Sequence, residues 1–330
     1  MKNITDLKIA FIGVAHWHVP LYLRAAEQEN IRIVAMSDPD ENKLTHLAAP
    51  FGCKCYTDAQ TLLDEVNPDF VFAFAPHNEM PELAMNLVRR KIPFSMEKPM
   101  GLCAEDVQKV KEAAEEASVF CSIPFVWRYS DLINDFKKEV KAEDIVHLSF
   151  KFIAGPTSRY ITTSPWMLEE KTAGGGCNTN LGVHFIDMAM YLTESTSAKV
   201  VASEYHYGDE YDIETYATTL VKLSSGATLS LETGYAFPMD ELARDNRWNI
   251  VTKDGYYTLG DGCFEKRVYD KKTEKIEMST DSDVYYPIYT LESLRQYVCG
   301  EKPRAGLEEM ELVRVILDEM DVKAKQAEEI

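Results

Sequence analysis

Positive charge is what this chain has least of: 35 Lys and Arg stand against 54 Asp and Glu, a formal net charge of −19. Nucleic acid and anionic membrane surfaces both require a basic face, so neither is expected as a partner. Long hydrophobic runs are also missing. No apolar stretch is long enough to span a bilayer, and Met1 to Asp6 lead into a strand-like run with no signal-peptide core, so a cytoplasmic protein is expected. Cysteine is sparse: seven residues, an odd number, scattered along the chain. They read as reduced thiols. Cys53 and Cys55 are expected to share one face of a short strand in a structural role, because no second pair completes a zinc site. There is no internal repeat, low-complexity tract or linker.

What is present suits two globular domains: 330 residues, 45% hydrophobic and 27% charged. Apolar runs at Leu7–Gly13, Ile31–Ser37, Cys53–Tyr56, Asp69–Ala75, Pro93–Met96 and Val119–Ile123 alternate with helical stretches. That rhythm predicts a doubly wound parallel sheet. After Pro124 it changes. Longer alternating strands at 145–153, 200–207, 216–223 and 227–235, with hairpin signals at 224–226 and 253–255, predict an α+β second domain, so the division falls between 1–124 and 125–330. The tail carries Met310, Val313, Leu317, Met320 and Ala324 on one helical stripe.

Three stretches carry chemistry. The strand Pro93–Met96 runs straight into Glu97-Lys98-Pro99. Proline cannot continue a strand, so Lys98 is expected at a strand end, the edge where open α/β sheets bind ligands. The alternative is a solvated pair at a turn. The first strand–helix turn, Gly13-Val14-Ala15-His16-Trp17-His18, stands where a dinucleotide site has three glycines, yet only Gly13 is present. Ala15 adds just a methyl group, and His18 occupies the third glycine position. Asp38 ends the next strand, where a carboxylate can accept hydrogen bonds from ribose hydroxyls and repel a 2′-phosphate; Pro39-Asp40-Glu41 offers no arginine to hold one. NAD is therefore expected over NADP, with a turn or cap carboxylate as the plainer role for Asp38. His16 and His18 lack a third ligand, and no metal is expected. The third stretch, Gly174-Gly175-Gly176, leads into a predicted helix with Asn180 and His184 one turn apart and Asp187 beyond. Its free N–H groups are expected to face a ligand.

Taken in order, the Gly13 turn, Asp38, Ala75-Pro76, Glu97-Lys98-Pro99, the glycine-led helix with His184 and Asp187, and Gly300-Glu301-Lys302-Pro303 resemble the Gfo/Idh/MocA family, the relatives of glucose–fructose oxidoreductase and inositol dehydrogenase. The likeness covers essentially the whole chain. It implies a dinucleotide-binding domain over 1–124, and a substrate-binding and oligomerisation domain over 125–330 whose open sheet supports homodimers or homotetramers. Lys98 matches the family's catalytic lysine and His184 its catalytic histidine. The family's catalytic aspartate falls at Asn180, and His77 stands where the family often has asparagine. The cofactor set expected on this footing is Gly13, Ala15, His16, Asp38, Ala75, Pro76, His77, Glu97 and Lys98, with Arg159, Tyr160 and Trp166 walling a sugar-like substrate. The expected reaction is hydride transfer between NAD(H) and a secondary alcohol or ketone. Lys98 and His184 would converge on one substrate oxygen, while Asn180 hydrogen-bonds but takes no proton. A nucleotide-binding sensor on the same scaffold, and nicotinamide-assisted glycoside cleavage or isomerisation, are the alternatives.

Overall fold

The computed structural model describes residues 3–208, 210–239 and 244–327. The chain divides into two compact units, Met1–Pro124 with Asp283–Met310, and Phe125–Ser282 with Glu311–Ile330.

In the first unit, strands β1 (Ile9–Ile12), β2 (Ile33–Ser37), β3 (Lys54–Tyr56), β4 (Phe70–Ala73), β5 (Phe94–Met96) and β6 (Cys121–Ser122) form one parallel sheet. Their order is β3-β2-β1-β4-β5-β6. Helices α1 (Val19–Gln28), α2 (Glu41–Ala48), α3 (Ala59–Val66), α4 (Met80–Arg89) and α5 (Ala104–Ala117) make the crossovers. Every residue of β1 and β4 is buried, as strands covered on both faces must be. The boundaries follow local chemistry. Asp40 accepts the Asn42 and Lys43 N–H groups to start α2, Asp58 accepts that of Thr61 to start α3, and prolines sit in the first turns of α1 and α4, where a missing N–H costs nothing. The strand order reverses between β1 and β4, the position at which such sheets open a crevice for a ligand.

The second unit holds an eight-stranded sheet in the order β14-β13-β12-β11-β7-β10-β9-β8. Its strands are β7 (Ile145–Ile153), β8 (Ala198–Tyr207), β9 (Glu214–Leu223), β10 (Thr228–Gly234), β11 (Asp245–Thr252), β12 (Gly255–Gly260), β13 (Cys263–Val268) and β14 (Glu274–Glu277). All neighbours are antiparallel except β7 with β10. Helices α6 (Asp131–Glu139), α7 (Glu170–Ala173) and α8 (Val183–Thr193) belong to the same unit. One sheet face packs on an aromatic core in which Phe185 of α8 lies 5.4 Å from both Phe150 and Phe152, and Trp127 lies 4.7 Å from Trp248. Across the other face, Leu220, Ser230, Ser149, Asn249 and Thr258 stand in register. The sequence reading missed β13 and β14, whose charged side chains interrupt the apolar alternation on which strand recognition depends.

Helix α9 (Tyr286–Cys299) went unrecognised too, and the segment containing it lies outside the expected partition. The sequence reading grouped 283–310 with the second domain; the structure packs it on the first unit. Tyr297 lies 5.6 Å from Phe70, Tyr289 bonds the hydroxyls of Ser95 and Ser122, and Ile123 N–H donates to the Ala305 carbonyl. Helix α10 (Leu307–Ala327) buries all five residues of its predicted stripe. Among the described residues, no helix is long and apolar enough to cross a membrane.

Candidate active site

At the end of β1, Gly13 has a φ of +79°, and a Cβ there would stand 2.0 Å from the Phe74 carbonyl oxygen. Glycine is thus required because the turn presses against the chain leaving β4. The Gly13 and Val14 N–H groups donate to Ser37 O, which ties the turn to the end of β2. Asp38 is 6% exposed; its Oδ2 accepts the Ala15 N–H at 2.7 Å and its Oδ1 that of Asp40 at 2.8 Å. The plainer role foreseen for Asp38, a turn carboxylate, is therefore observed. Each oxygen, with one N–H bond apiece here, retains acceptor capacity. Ala75 and Pro76 are half-buried just past β4, and His77 is buried.

Glu97 and Lys98 follow β5 and are 1% and 3% exposed, which removes the solvated-pair alternative. Glu97 Oε1 accepts the Tyr22 hydroxyl at 2.6 Å and lies 3.1 Å from His18 Nδ1, while Oε2 accepts the Lys98 N–H at 3.2 Å. The Tyr286 hydroxyl lies 3.1 Å from the same His18 nitrogen. Burial pushes the Glu97 carboxyl up, but His18, His16 and Lys98 together overcome this and hold it well below the usual carboxylate range. Burial lowers the Lys98 amine to about 8 against the opposing pull of Glu97 and Asp283. His16 is pushed well below its ordinary value by burial and by His18; its ring stacks on Trp17 at 4.0 Å. The histidine in the third glycine position is therefore a partner of the buried carboxylate. His18, Tyr22 and Tyr286 escaped the sequence reading as members of this group. His18 lay inside a marked motif, but nothing local signals Tyr286, which is 268 positions away.

The glycine run of the second unit overturns one expectation. Two of the N–H groups at this helix start are taken by a carboxylate of the chain itself: Gly176 N–H donates to Glu214 Oε2 at 2.5 Å and Asn178 N–H to Oε1 at 2.9 Å. A Cβ on Gly176 would stand 2.0 Å from the Glu214 carbonyl oxygen, so this glycine serves the packing against β9. The first turn is also not a regular α turn. Asn178–Gly182 is π-helical and passes into α8 at Val183, so Asn180 lies in the widened turn and His184 in the α-helix beyond it.

Asn180 is 4% exposed, and its Nδ2 donates to the hydroxyls of Tyr160 at 2.9 Å and Tyr235 at 3.0 Å. The Arg159 guanidinium bonds the Tyr160 hydroxyl and lies over both rings, 4.7 and 5.7 Å from their centroids. Arg159, Tyr160 and Asn180 thus come together, joined by Tyr235, which the sequence reading did not single out. Trp166 is half-buried in the turn Pro165–Leu168, where its carbonyl accepts the Thr172 hydroxyl. His184 is half-buried. One turn later, Asp187 takes the buried Arg128 guanidinium through Nε and Nη2, at 2.7 to 3.2 Å. Among the described residues, no group of three or more His, Cys, Asp and Glu side chains is placed to hold a metal ion.

A parallel sheet in this order, with a glycine turn at its reversal and an aspartate closing the neighbouring strand, has the layout of a dinucleotide-binding fold. Residues 7–125 match the family described as "Oxidoreductase family, NAD-binding Rossmann fold", and residues 134–258 match the "GFO/IDH/MocA C-terminal domain". The chain belongs to the Gfo/Idh/MocA family of NAD-binding oxidoreductases, and it is an enzyme of that class. It is 24% identical over 242 residues to the rhizopine catabolism protein MocA of Rhizobium meliloti, covering 71% of this chain and 73% of that one. It is 26% identical over 211 residues to the myo-inositol 2-dehydrogenase of Thermotoga maritima, covering 60% and 61%. Among solved structures, an oxidoreductase from Agrobacterium radiobacter in complex with NAD+, L-tartaric acid and magnesium is similar in fold, with TM-score 0.85, 17% identity and coverage of 98% and 97%. A levoglucosan dehydrogenase in complex with NADH and levoglucosan has TM-score 0.84 at 13% identity, covering 97% of each chain.

Proposed function

We propose that this protein transfers a hydride between NAD(H) and a secondary alcohol or ketone of a sugar or polyol, with Lys98 and His184 handling the substrate proton. The observation that carries the reading is Lys98: an amine 3% exposed, lowered by burial to about 8, directly after a strand of the nucleotide-type sheet. A lysine so tuned exchanges its proton in the working range of an enzyme, which a surface lysine does not. When bound, the nicotinamide supplies or accepts the hydride at the substrate carbon. The chain's own residues do the rest. Gly13, Ala15, His16, Asp38, Ala75, Pro76, His77 and Glu97 form or support the nucleotide cradle, and Asp38 favours NAD over NADP by accepting ribose hydroxyls and repelling a 2′-phosphate. Arg159, Tyr160 and Trp166 wall the substrate. Asn180 takes no proton. Its donation to two tyrosine hydroxyls favours a role in arranging that wall, and carbonyl reduction as the natural direction, because reduction needs a proton donor and no extra base.

The test is fluorescence titration with NADH and NADPH, followed by a screen of myo-inositol, glucose 6-phosphate, levoglucosan and keto-sugars at the nicotinamide absorbance band. NADH binding with turnover on at least one of them is expected. Tight NADH binding without turnover on any would replace the enzyme reading by a sensor, and preferential NADPH binding would remove the role given to Asp38. A homodimer or homotetramer built on the open sheet face is part of the proposal. Ser230, Ser149, Asn249 and Thr258 dominate the central row of that face, so the contact would be a wet one, and light scattering at two or four chain masses is its test.

A further inference from the structure

We infer that Glu214 is a positioning residue for the substrate wall of the second unit, acting through the backbone of Gly176. This rests on the substrate role proposed for Arg159, Tyr160 and Asn180. The side chain opens β9 and is 3% exposed. One carboxylate oxygen takes the Gly176 N–H and the other the Asn178 N–H. The Gly176 carbonyl, which belongs to the next peptide group, accepts the Asn180 N–H at 3.0 Å and the Tyr235 hydroxyl at 3.3 Å. The Tyr235 and Tyr160 hydroxyls both receive the Asn180 amide, and Arg159 reaches Tyr160. Hydrogen bonds on the two sides of Gly176 therefore link the Glu214 carboxylate, through this one residue, to Tyr235, Asn180, Tyr160 and Arg159.

A side chain at position 176 would meet the Glu214 backbone, so only glycine lets the two segments pack this closely. Burial pushes Glu214 up to about 7, outweighing the two N–H donors, and Asp321 adds to the shift. The other groups around it are Cys177, the Tyr205 hydroxyl, which donates to Asp321 and accepts from Asn178, and on α10 Arg314, ion-paired with Asp318 and Asp321, and Lys325. Both Glu214 oxygens face N–H donors. The ionised form satisfies both, whereas the protonated form turns an O–H toward one of them. The fold nevertheless raises this carboxyl toward 7, so opening the turn, which returns Glu214 to water, becomes easier as pH rises through that value, and the turn is held better below neutrality than above it.

The experiment compares the wild type, Glu214→Gln and Glu214→Asp at pH 6 and pH 8. Two readouts are used: the KM of whichever sugar turns over, and amide hydrogen exchange of the peptide spanning 174–182. Relative to wild type, Glu214→Gln, whose amide turns an N–H toward one of the two backbone N–H groups, is expected to raise KM about tenfold with kcat little changed and to accelerate exchange of the 174–182 peptide. The wild-type pH step in that exchange, faster at pH 8 than at pH 6 once referenced to a peptide of α5, should vanish in Glu214→Gln and persist in Glu214→Asp. The NADH dissociation constant serves as the control. KM and exchange both unchanged in Glu214→Gln, or a pH step that persists in it, overturns the inference. If no sugar is turned over, the functional reading fails, and the exchange measurement alone decides whether Glu214 holds the turn. Should Glu214→Gln fail to fold, the wild type still decides. Exchange of 174–182 referenced to a peptide of α5 must quicken from pH 6 to pH 8, or the inference is lost.

Discussion

Lys98 and Glu97 are adjacent, equally buried and pulled in different ways by the same low-dielectric surroundings. Glu97 stays ionised because His18, His16 and Lys98 surround it and the Tyr22 hydroxyl donates to it. Lys98 faces burial with fewer compensations and falls to about 8. Replacing Lys98 by Met is expected to lower kcat by about a hundred- to ten-thousand-fold, the usual worth of a general acid or base, while NADH still binds. The pH dependence has a definite sign. Alcohol oxidation needs the neutral amine and should rise as pH passes upward through about 8, whereas ketone reduction should fall over the same interval. Lys98→Arg, charged throughout, should abolish that step in a stopped-flow pH series. Asp38→Asn should cost about tenfold in NADH affinity and less for NADPH, narrowing the ratio between them, since one charge-assisted acceptor is lost in the first case and a repulsion is relieved in the second. Fluorescence titration reads both.

At the scale of single elements, the glycine run shows how a correct motif can carry a wrong local reason. Three glycines before a helix do mark an exposed set of N–H donors, yet here β9 delivers a carboxylate to them from 38 positions away. The distinction is measurable. Gly176→Ala places a methyl group 2.0 Å from a backbone oxygen and should cost about 3 kcal/mol in a denaturant melt. Gly52→Ala, at a φ of +58° with open space around the new methyl, should cost only about 1 kcal/mol. Helix α8 depends on a second long-range tie. Asp187→Ala strands the buried Arg128 guanidinium and should cost about 3–5 kcal/mol. Asp187 was visible as part of the pattern around His184. Its partner was not, because Arg128 lies 59 positions earlier in a stretch without a motif.

For the whole molecule, the decisive event is the return of 283–310 to the first unit. Tyr286 and Tyr289 lie 5.2 and 5.9 Å from Tyr22, and Tyr297 lies 5.6 Å from Phe70. A fragment ending at Pro124 would expose these aromatic faces. It is expected to bind the dye ANS and melt without a cooperative transition, whereas the full chain melts cooperatively and does not bind ANS. The strand–helix alternation of residues 7–123, the antiparallel sheet after it, the glycine turn, the aspartate closing β2, Glu97-Lys98-Pro99 and the glycine-led helix could all be read from the sequence alone. Each is written in periodicity or in a residue type that only one backbone geometry accepts. The sequence could not show that Glu97 meets His18 and Tyr22, that Glu214 caps the glycine helix, that Asn180 serves two tyrosines, or that α9 covers the first sheet. Those pairings join residues tens to hundreds of positions apart, and burial and hydrogen-bond satisfaction act only once the folded chain has brought them together.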